Sequence, residues 1–494
     1  MRSNLAPGEK LAVDSRLHSE EELSRLLDLL REARIEIELA PRNLVDDIWR
    51  EGRPEDSRST VFDYDIRYAG LSRQEKIDGA RARLAERGQE LLVVGDPEDV
   101  AWLLNTRSND SRDTLAKRNF VDPVSQFRVP VPLSRALVPL EGAARWFVDR
   151  SRLEHSLIEG LDGTVEIVDP AAFDAELARL ASGRIVAANA RRTNHHLAGI
   201  IRSAGKLVHD PSVVAARGIK HENEIAAARA GHKADGAAVV RFLAWLLDAV
   251  KVGPVTELDA AERVTQLRAQ NPLYLGPSMS NLSASGPNAA LPHYVPAPAT
   301  NRLLNDHPVY WLDSGGQYLG CSTDNTVCFA VGTPEPKHVT AHTLAVKGWL
   351  ALGRARFPEG TQSTQLDSFA RQHLWQHGMD FGHGTGHGVG NFLNIHEVPH
   401  IRKEIDHPAV APIRAGMIVS NEPGYYAQGD FGVRIESHIL AVPSRFDGFL
   451  EFETLSMLPI DPALIDATLL DDAEARWLAD YHEALVEGYR DTLD

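Results

Sequence analysis

Several histidines lie close together in one glycine-rich stretch, residues 381–400. His383, His387 and His396 stand there among glycines, which let a backbone and a substrate approach closely. The glycines favour extended backbone over helix, so the three rings need not bind one metal. Such a composition is unusual for an apolar core and indicates a reaction centre.

Carboxylates occur in the segments on both sides of this stretch. Asp313 and Asp324 stand upstream at the edges of apolar runs, and Glu422 and Glu436 stand downstream in strand-like segments. Together with one histidine they would form an oxygen-rich set of ligands, which suits hard or borderline divalent ions that polarise water. Four converging carboxylates would repel each other without such ions. We therefore expect metal binding and local folding to be coupled.

Several sequence blocks resemble those of the metallopeptidase family M24, which has the "pita-bread" fold. The match is closest to its Xaa-Pro aminopeptidase (aminopeptidase P) branch and runs from about residue 13 to the C-terminus. Five blocks occur in the family's order and spacing: LDSGGQY, STD, GHGTGHGVGNFLNIHE, SNEPGYY and FGVRIE. A sixth, SASGPNAALPHY at 283–294, resembles another block of that branch. One block alone would be weak support, whereas several in register are specific.

The resemblance implies a dinuclear metal site. Its five ligands would be Asp313, Asp324, His387, Glu422 and Glu436. Asp324 and Glu436 match the residues that bridge the two ions, and a water held between the ions becomes a hydroxide near neutral pH. Mn²⁺ is the expected ion, from the family and from the oxygen-rich ligand set, with Co²⁺ or Zn²⁺ as alternatives.

The resemblance also assigns roles to residues that bind no metal. His293, His383 and His396 would bind the carbonyl oxygens of the substrate and stabilise charge on the tetrahedral intermediate. A single histidine is more often a structural residue, and the family blocks reverse that expectation less strongly for His383 than for the other two. Glu422, besides binding metal, would move a proton from the bridging water to the leaving amine.

Arg434 is a further candidate for the site. By strand alternation it points to the same face of the sheet as Glu436. It would either orient the site, by pairing with a carboxylate or with Tyr426, or form a structural salt bridge, and the sequence leaves both open. Two departures from the family pattern lie nearby, at Gly320-Cys321 and at Val327. Cys321 could therefore lie near the metals as a soft, oxidisable neighbour.

The resemblance implies a metal-dependent aminopeptidase that hydrolyses the N-terminal Xaa-Pro bond of proline-containing peptides. Proline specificity follows from the resemblance alone. A prolidase-like Xaa-Pro dipeptidase is the alternative within the same chemistry, although the additional α/β domain and the C-terminal extension favour the enzyme of longer peptides. A truncated, weakly active binding protein on the same fold is the alternative from another class.

The pattern of elements predicts an α/β N-terminal region followed by an α+β catalytic domain. We expect a remnant of the family's first domain and a linker at 1–60, an α/β creatinase-type middle domain at 61–212, and the pita-bread catalytic domain with a C-terminal extension at 213–494. RIVAAN, 184–189, is expected to be the last strand of the middle domain. AWLLNTRSND, 101–110, either lines a substrate channel through Asn105 or Arg107, or is a helix end with a solvated loop, and the second interpretation is favoured.

Composition limits the partners and the compartment. The 494 residues carry a formal net charge of −17, which argues against nucleic acid or an anionic membrane as the main partner. The two cysteines, Cys321 and Cys328, are expected to be buried free thiols, and so few of them fit a reducing compartment. With no signal-peptide-like start and no membrane-spanning segment, the expected location is cytoplasmic. Family members often dimerise, so a homodimer is also an option.

Overall fold

The computed structural model describes residues 5–6, 8–40, 42–51, 59–108, 129–161 and 163–493. Contacts divide these residues into two compact units. The first contains the described residues up to 66, 71–108 and 131–217, and the second contains 67–70, 129–130 and 218–493. Most of the linker predicted around residues 50–60 lies outside the described residues, and the predicted three-part division stays a prediction.

The first unit is built on a mixed sheet, whose described part has six strands. In order across the sheet these are Lys206–His209, Ile185–Ala188, Leu91–Val94, Arg135–Pro139, Ala144–Phe147 and Val165–Val168. Further strands pair Lys10–Val13 with Glu36–Leu39 and Val61–Asp63 with Thr106–Ser108. The helices are Glu20–Glu32, Leu44–Ile48, Arg73–Glu86, Pro97–Leu103, His155–Glu159, Phe173–Ala181, His195–Ala204 and Ser212–Gly218. The short helix Ile66–Ala69 begins at the last residue of a segment of this unit, and its other residues belong to the second unit.

Local sequence signals account for much of this unit. The apolar run LLVV, residues 91–94, forms a central strand with all four residues buried. Ser72 and Glu75 form a capping box at the start of the helix Arg73–Glu86, because a serine three residues before a glutamate satisfies the first backbone N–H groups of a helix. The sequence did not indicate the edge strand Lys206–His209, whose first and last side chains are exposed and give no buried apolar run. The strand expected to be last, Ile185–Ala188, is therefore followed by a parallel neighbour.

The favoured interpretation of AWLLNTRSND is right about the helix end but wrong about a solvated loop at Asn105 and Arg107, because both residues are buried. The helix Pro97–Leu103 is followed by a strand that pairs with Val61–Asp63. The Arg107 guanidinium lies 4.1 Å from the centre of the Tyr64 ring. The last two residues of the stretch, 109 and 110, lie outside the described residues, and a role in a substrate channel stays a prediction.

The second unit contains several antiparallel sheets. Among its described residues the largest sheet has the strand order Arg356–Pro358, Phe449–Thr454, Ser437–Pro443, Ile418–Asn421, Gly386–Gly388, Glu397–Ile401. Smaller sheets are formed by Leu282–Ser285, Val309–Ser314 and Asn325–Ala330, by Tyr274–Pro277, Gly316–Tyr318 and Cys321–Ser322, and by Gly424–Ala427 with Phe431–Arg434. The helices are Glu222–Val252, Glu257–Arg268, Gly286–Ala289, Pro336–Gly353, Ser363–Trp375 and Asp472–Leu493.

Long helices bury the apolar sides of these sheets. The helix Glu222–Val252 begins at a capping box and packs Phe242 and Leu246 into a core with strand residues such as Leu312. The C-terminal helix Asp472–Leu493 packs Tyr481 and Leu485 into another core. Among the described residues, no helix combines the length and apolar character that a bilayer crossing requires.

Candidate metal centre

An antiparallel strand pair brings the two aspartates together. Asp313 lies in the strand Val309–Ser314, and Asp324 immediately precedes the strand Asn325–Ala330. In the register of this pair Asp313 lies opposite Thr326. The two aspartates, eleven positions apart in the chain, therefore occupy the same end of the pair, and both are buried.

The largest sheet supplies the imidazole and the two glutamates. His387 lies in the short strand Gly386–Gly388, Glu422 follows the strand Ile418–Asn421, and Glu436 precedes Ser437–Pro443. The glycine before His387 is required by packing, because a Cβ at Gly386 would overlap the carbonyl oxygen of Ser420 on the next strand. A larger residue would push these strands apart and displace the imidazole from the glutamates.

The structure brings all five predicted ligands together. In three overlapping groups, each residue offers a donor atom within 4.8 Å of the others. The groups are Asp313, Asp324 and Glu436; His387, Glu422 and Glu436; and Asp324, His387 and His396. Each group includes carboxylate oxygens, and the overlap describes one continuous cluster with room for more than one cation. His396 was expected to bind no metal, yet its ring also lies within reach of a cation bound by Asp324 and His387.

Hydrogen bonding fixes the tautomer of His387. Its Nδ1 donates to the carbonyl oxygen of Gly388 at 2.9 Å, so the lone pair is on Nε2. Nε2 lies 3.7 Å from Asp324 and 3.6 Å from Glu422. Burial lowers the pKa of His387 to about 4, so the ring is neutral at pH 7. A neutral imidazole held by its other nitrogen is the usual state of a metal-binding histidine.

The electrostatics of the cluster favour bound cations. Burial, together with the charges of the neighbouring carboxylates, raises the pKa of Asp324 and Glu436 well above the usual range. The Oδ1 atoms of Asp313 and Asp324 are buried and accept no hydrogen bond from the described residues. Buried anionic oxygens without donors are costly. The chemistry of this donor set therefore fits divalent metal ions, which would pair with these oxygens.

Arg434 makes both of the contacts that the sequence left open. Its Nη2 donates to Oδ2 of Asp313 at 2.6 Å, and its Nη1 donates to the hydroxyl of Tyr426 at 2.6 Å. Tyr426 is in turn 2.9 Å from Nε2 of His383. Nδ1 of His383 faces the carbonyl oxygen of Gly384 at 2.7 Å. Since a carbonyl only accepts, Nδ1 of His383 carries the proton and Nε2 accepts from Tyr426.

The other two predicted substrate-binding histidines have exposed side chains. The ring of His396 lies 4.3 Å from that of His387, and the ring of His293 lies 6.5 Å from that of His383. Both therefore border the carboxylate cluster and are accessible to a substrate. Their assignment as substrate-binding residues stays a prediction.

Two hydroxyl residues that the sequence analysis did not single out hold the glutamates. Thr326 donates to Oε2 of Glu436 at 2.8 Å. Ser420 donates to Oε1 of Glu422 at 3.1 Å and accepts from the backbone N–H of His387 at 2.9 Å. Ser420 stands two residues before Glu422 on a strand, so alternation could have identified it.

Cys321 contacts a histidine of the long helix rather than the candidate ligands. Its Sγ lies 3.4 Å from Nδ1 of His232, and Nε2 of His232 lies 2.7 Å from His438. Cys321 belongs to none of the donor groups found among the described residues. It and Cys328 are buried free thiols, as predicted.

Sequence comparison finds similarity to known families along most of the chain. Residues 226–443 match metallopeptidase family M24, residues 52–114 match the creatinase/prolidase N-terminal domain, and residues 448–494 match the C-terminal region of peptidase M24. The chain is 34% identical over 489 residues to the probable Xaa-Pro aminopeptidase P of Laccaria bicolor, covering 97% of this chain and 74% of that protein. It is 31% identical to aminopeptidase P2 of Arabidopsis thaliana, covering 98% of this chain and 71% of that protein.

Solved structures agree with the sequence comparison. The X-prolyl aminopeptidase of Caenorhabditis elegans, described as a cytosolic enzyme with a di-nuclear active site, has a TM-score of 0.91 at 28% identity. The structural match covers 100% of this chain and 79% of the C. elegans chain. A prolidase of Thermococcus sibiricus has a TM-score of 0.60 at 22% identity, and the match covers 79% of this chain and 98% of the prolidase chain. The two proteins therefore share a fold. These matches confirm the predicted fold class, an α/β N-terminal region with a pita-bread catalytic domain.

Proposed function

This chain belongs to metallopeptidase family M24, and from that premise we propose that it is an aminopeptidase that removes the N-terminal residue from peptides with proline in second position. One observation carries the proposal: four carboxylates and a neutral imidazole, far apart in sequence, converge on one largely buried cluster. The named relatives, which include an X-prolyl aminopeptidase with a di-nuclear active site, support the substrate class.

The cluster binds two divalent metal ions. The proposed ligands are Asp313, Asp324, His387, Glu422 and Glu436. Mn²⁺ is the proposed ion, because hard carboxylate oxygens outnumber the single nitrogen. When bound, such ions neutralise the carboxylates and lower the pKa of a coordinated water, so that a nucleophile is available near neutral pH.

The protein side chains orient the reacting groups and move the proton. Glu422 is the more accessible of the glutamates, and the hydroxyl of Ser420 fixes its Oε1. Its carboxylate can accept the proton of the attacking water and release it to the proline nitrogen, which must be protonated as the amide bond breaks. His293 and His396, exposed at the border of the cluster, can donate hydrogen bonds to the substrate carbonyl oxygen.

The proposal also includes the organisation and location of the protein. Residues 61–212 act as a creatinase-type middle domain and residues 213–494 as the catalytic domain, consistent with the family matches. A cytoplasmic location is supported by the cytosolic relative in C. elegans and by two buried free thiols. A homodimer, common in the family, is proposed as the assembly.

The decisive experiment compares peptides that differ only at the second residue. The Mn²⁺-loaded protein is incubated with Arg-Pro-Pro-type and Arg-Ala-Pro-type peptides, and the released N-terminal residue is quantified. Cleavage restricted to proline in second position supports the proposal, whereas equal cleavage of both peptides removes the specificity. A third arm with the dipeptide Arg-Pro separates the two enzymes: hydrolysis of the dipeptide alone would identify a prolidase-like dipeptidase.

A further inference from the structure

A fully buried ion pair lies behind the two aspartates. Asp235, in the helix Glu222–Val252, and Arg268, at the end of the helix Glu257–Arg268, have almost no exposed surface. Nε of Arg268 donates to Oδ1 of Asp235 at 2.6 Å, and Nη2 donates to Oδ2 at 3.2 Å. This arrangement joins two helices through two parallel hydrogen bonds, the strongest geometry for such a pair.

The side chains of this pair make further hydrogen bonds among the described residues. All of them are to the chain segment that carries the two aspartates. Arg268 donates to the carbonyl oxygen of Ser314 at 3.2 Å. Asp235 accepts from Nδ2 of Asn325 at 3.0 Å and from the hydroxyl of Tyr318 at 2.7 Å. Tyr318 lies in the short strand Gly316–Tyr318, within the segment that connects the two strands carrying the aspartates.

These contacts are adjacent to the candidate ligands. Ser314 directly follows Asp313, and Asn325 directly follows Asp324. In the strand register Ser314 is the partner of Asn325. One ion pair therefore holds both strands at the position next to the two carboxylates, and its geometry limits how far the carboxylates can separate.

Stability alone does not explain such a pair. Removing two charges from water is expensive, and apolar residues of similar volume often replace a buried ion pair without loss of stability. Outer partners of metal ligands, by contrast, commonly change metal affinity 10–100-fold. We propose, on the basis of the dinuclear function above, that the Asp235–Arg268 ion pair positions Asp313 and Asp324 for metal binding by fixing the ends of the two strands that carry them.

The sharpest test removes one hydroxyl. Tyr318→Phe deletes the hydrogen bond to Asp235 and keeps the ring. Tyr310→Phe is the matched control, because Tyr310 is also buried, lies in the same strand as Asp313, and bonds through its hydroxyl to Ser283 at 2.8 Å, away from the ion pair. Each variant loses one buried hydrogen bond and keeps its aromatic ring, and only the bond of Tyr318 reaches the ion pair.

Mn²⁺ binding to the full-length, chelator-treated protein is measured by titration calorimetry, and the spacing of the two ions is followed by electron paramagnetic resonance. Tyr318→Phe is expected to weaken binding several-fold and to alter the Mn²⁺–Mn²⁺ spectrum, while Tyr310→Phe retains both. Unchanged binding in Tyr318→Phe, or equal weakening in both variants, overturns the inference.

A stronger perturbation neutralises the pair while keeping its shape. Asp235→Asn combined with Arg268→Gln is expected to weaken Mn²⁺ binding about 10-fold or more. The double control Lys347→Gln with Glu474→Gln removes a mostly buried pair that joins two other helices and is expected to bind Mn²⁺ like the wild type. If the first double variant does not fold, the tyrosine comparison decides. A wild-type protein that binds no Mn²⁺ overturns the proposed function itself, whereas tight wild-type binding with unaffected variants overturns only the role of the pair.

Discussion

Arg434 donates from Nη2 to Oδ2 of Asp313 across 2.6 Å, and both side chains are buried. The other oxygen of Asp313, Oδ1, accepts no hydrogen bond from the described residues. The protein thus holds one oxygen of this carboxylate and leaves the second to face the cluster. Burial and the charge of Asp313 raise the pKa of Glu436, and the guanidinium of Arg434 opposes this rise. The guanidinium therefore reduces the repulsion among the carboxylates.

Replacing Arg434 with Met is expected to destabilise the metal-free protein by about 3–5 kcal/mol, because the variant leaves a buried carboxylate without its partner. Urea denaturation in the presence of a chelator measures this change. Tyr426→Phe is the control, since it removes only the neighbouring hydroxyl and is expected to cost about 1 kcal/mol. Equal stability of Arg434→Met and the wild type would mean that the ion pair with Asp313 does not stabilise the metal-free protein.

Asp324→Ala is expected to abolish binding of both ions, because Asp324 belongs to two of the three donor groups. Hydrolysis of an Xaa-Pro-Xaa peptide is expected to fall roughly 10³-fold or more, since metal activation contributes several kcal/mol. Metal content by mass spectrometry and kcat/KM provide the two readouts. The control Asp430→Asn removes an exposed carboxylate paired with Lys337, and a similar loss in that variant would contradict the assignment.

Chelation is expected to lower the stability of the wild-type protein. A site at 100 times its Kd contributes about 2.7 kcal/mol to the free energy of unfolding, and removal of the ions also exposes the buried carboxylates to each other's charge. Thermal unfolding before and after chelation, and after return of Mn²⁺, measures the effect. Asp324→Ala is expected to show little difference between the two conditions, and a chelator effect of full size in that variant would place the stabilising ion elsewhere.

The sequence predicted the positions that carry the chemistry better than the contacts that orient them. Aspartates and glutamates at strand ends, in several family blocks, were sufficient to select the side chains that converge. Tyr426 was named as a possible partner of Arg434, but the carboxylate that it also binds could not be identified, because Asp313 lies 121 positions away in the chain. The sequence left open whether Cys321 lies near the metals, because its orientation depends on the long helix, where it contacts His232.

The same limit applies to parts of the fold. The edge strand Lys206–His209 has no apolar run of its own, and only its pairing with Ile185–Ala188 defines it. Arg107 has a charge that suggests solvent, yet it is buried over Tyr64 with backbone carbonyls as acceptors. Such outcomes depend on tertiary partners, which local patterns do not contain.

His342 is expected to make the protein less stable in mild acid. Burial lowers its pKa from 6.5 to about 4, and its Nδ1 donates to the carbonyl oxygen of Leu464 at 3.2 Å. Between these pH values the unfolded chain binds a proton that the folded protein does not. The contribution of His342 is therefore complete above pH 6.5 and is lost as the pH falls toward 4, by about 3 kcal/mol in total.

His342→Gln, which keeps a donor but does not titrate, is expected to flatten this dependence. The free energy of unfolding is measured in urea from pH 7 to 4 with a chelator present in both proteins, so that metal release does not contribute. Parallel curves for the wild type and the variant would show that another group causes the acid sensitivity.

The three predicted substrate-binding histidines are expected to differ in their effect on turnover. Both nitrogens of His383 are engaged, with Nδ1 donating to Gly384 and Nε2 accepting from Tyr426. Burial lowers its pKa to about 3, so at pH 7 it has no second proton to donate to a substrate. Desolvation lowers the pKa of His396 to about 3 as well, so this ring is also neutral at pH 7. Unlike those of His383, however, its two nitrogens make no hydrogen bond to the described residues, so its one N–H is available to a substrate. We therefore expect His396→Ala to reduce kcat by about 10²-fold, in the range for loss of one donor to a developing oxyanion, and His383→Ala to reduce it less.

Kinetics at saturating Mn²⁺ with an Xaa-Pro-Xaa peptide measure both, and the metal content of each variant is checked because His396 also lies within reach of a cation. An equal or larger loss in His383→Ala, with both ions retained, would mean that this histidine exchanges Tyr426 for the substrate during turnover.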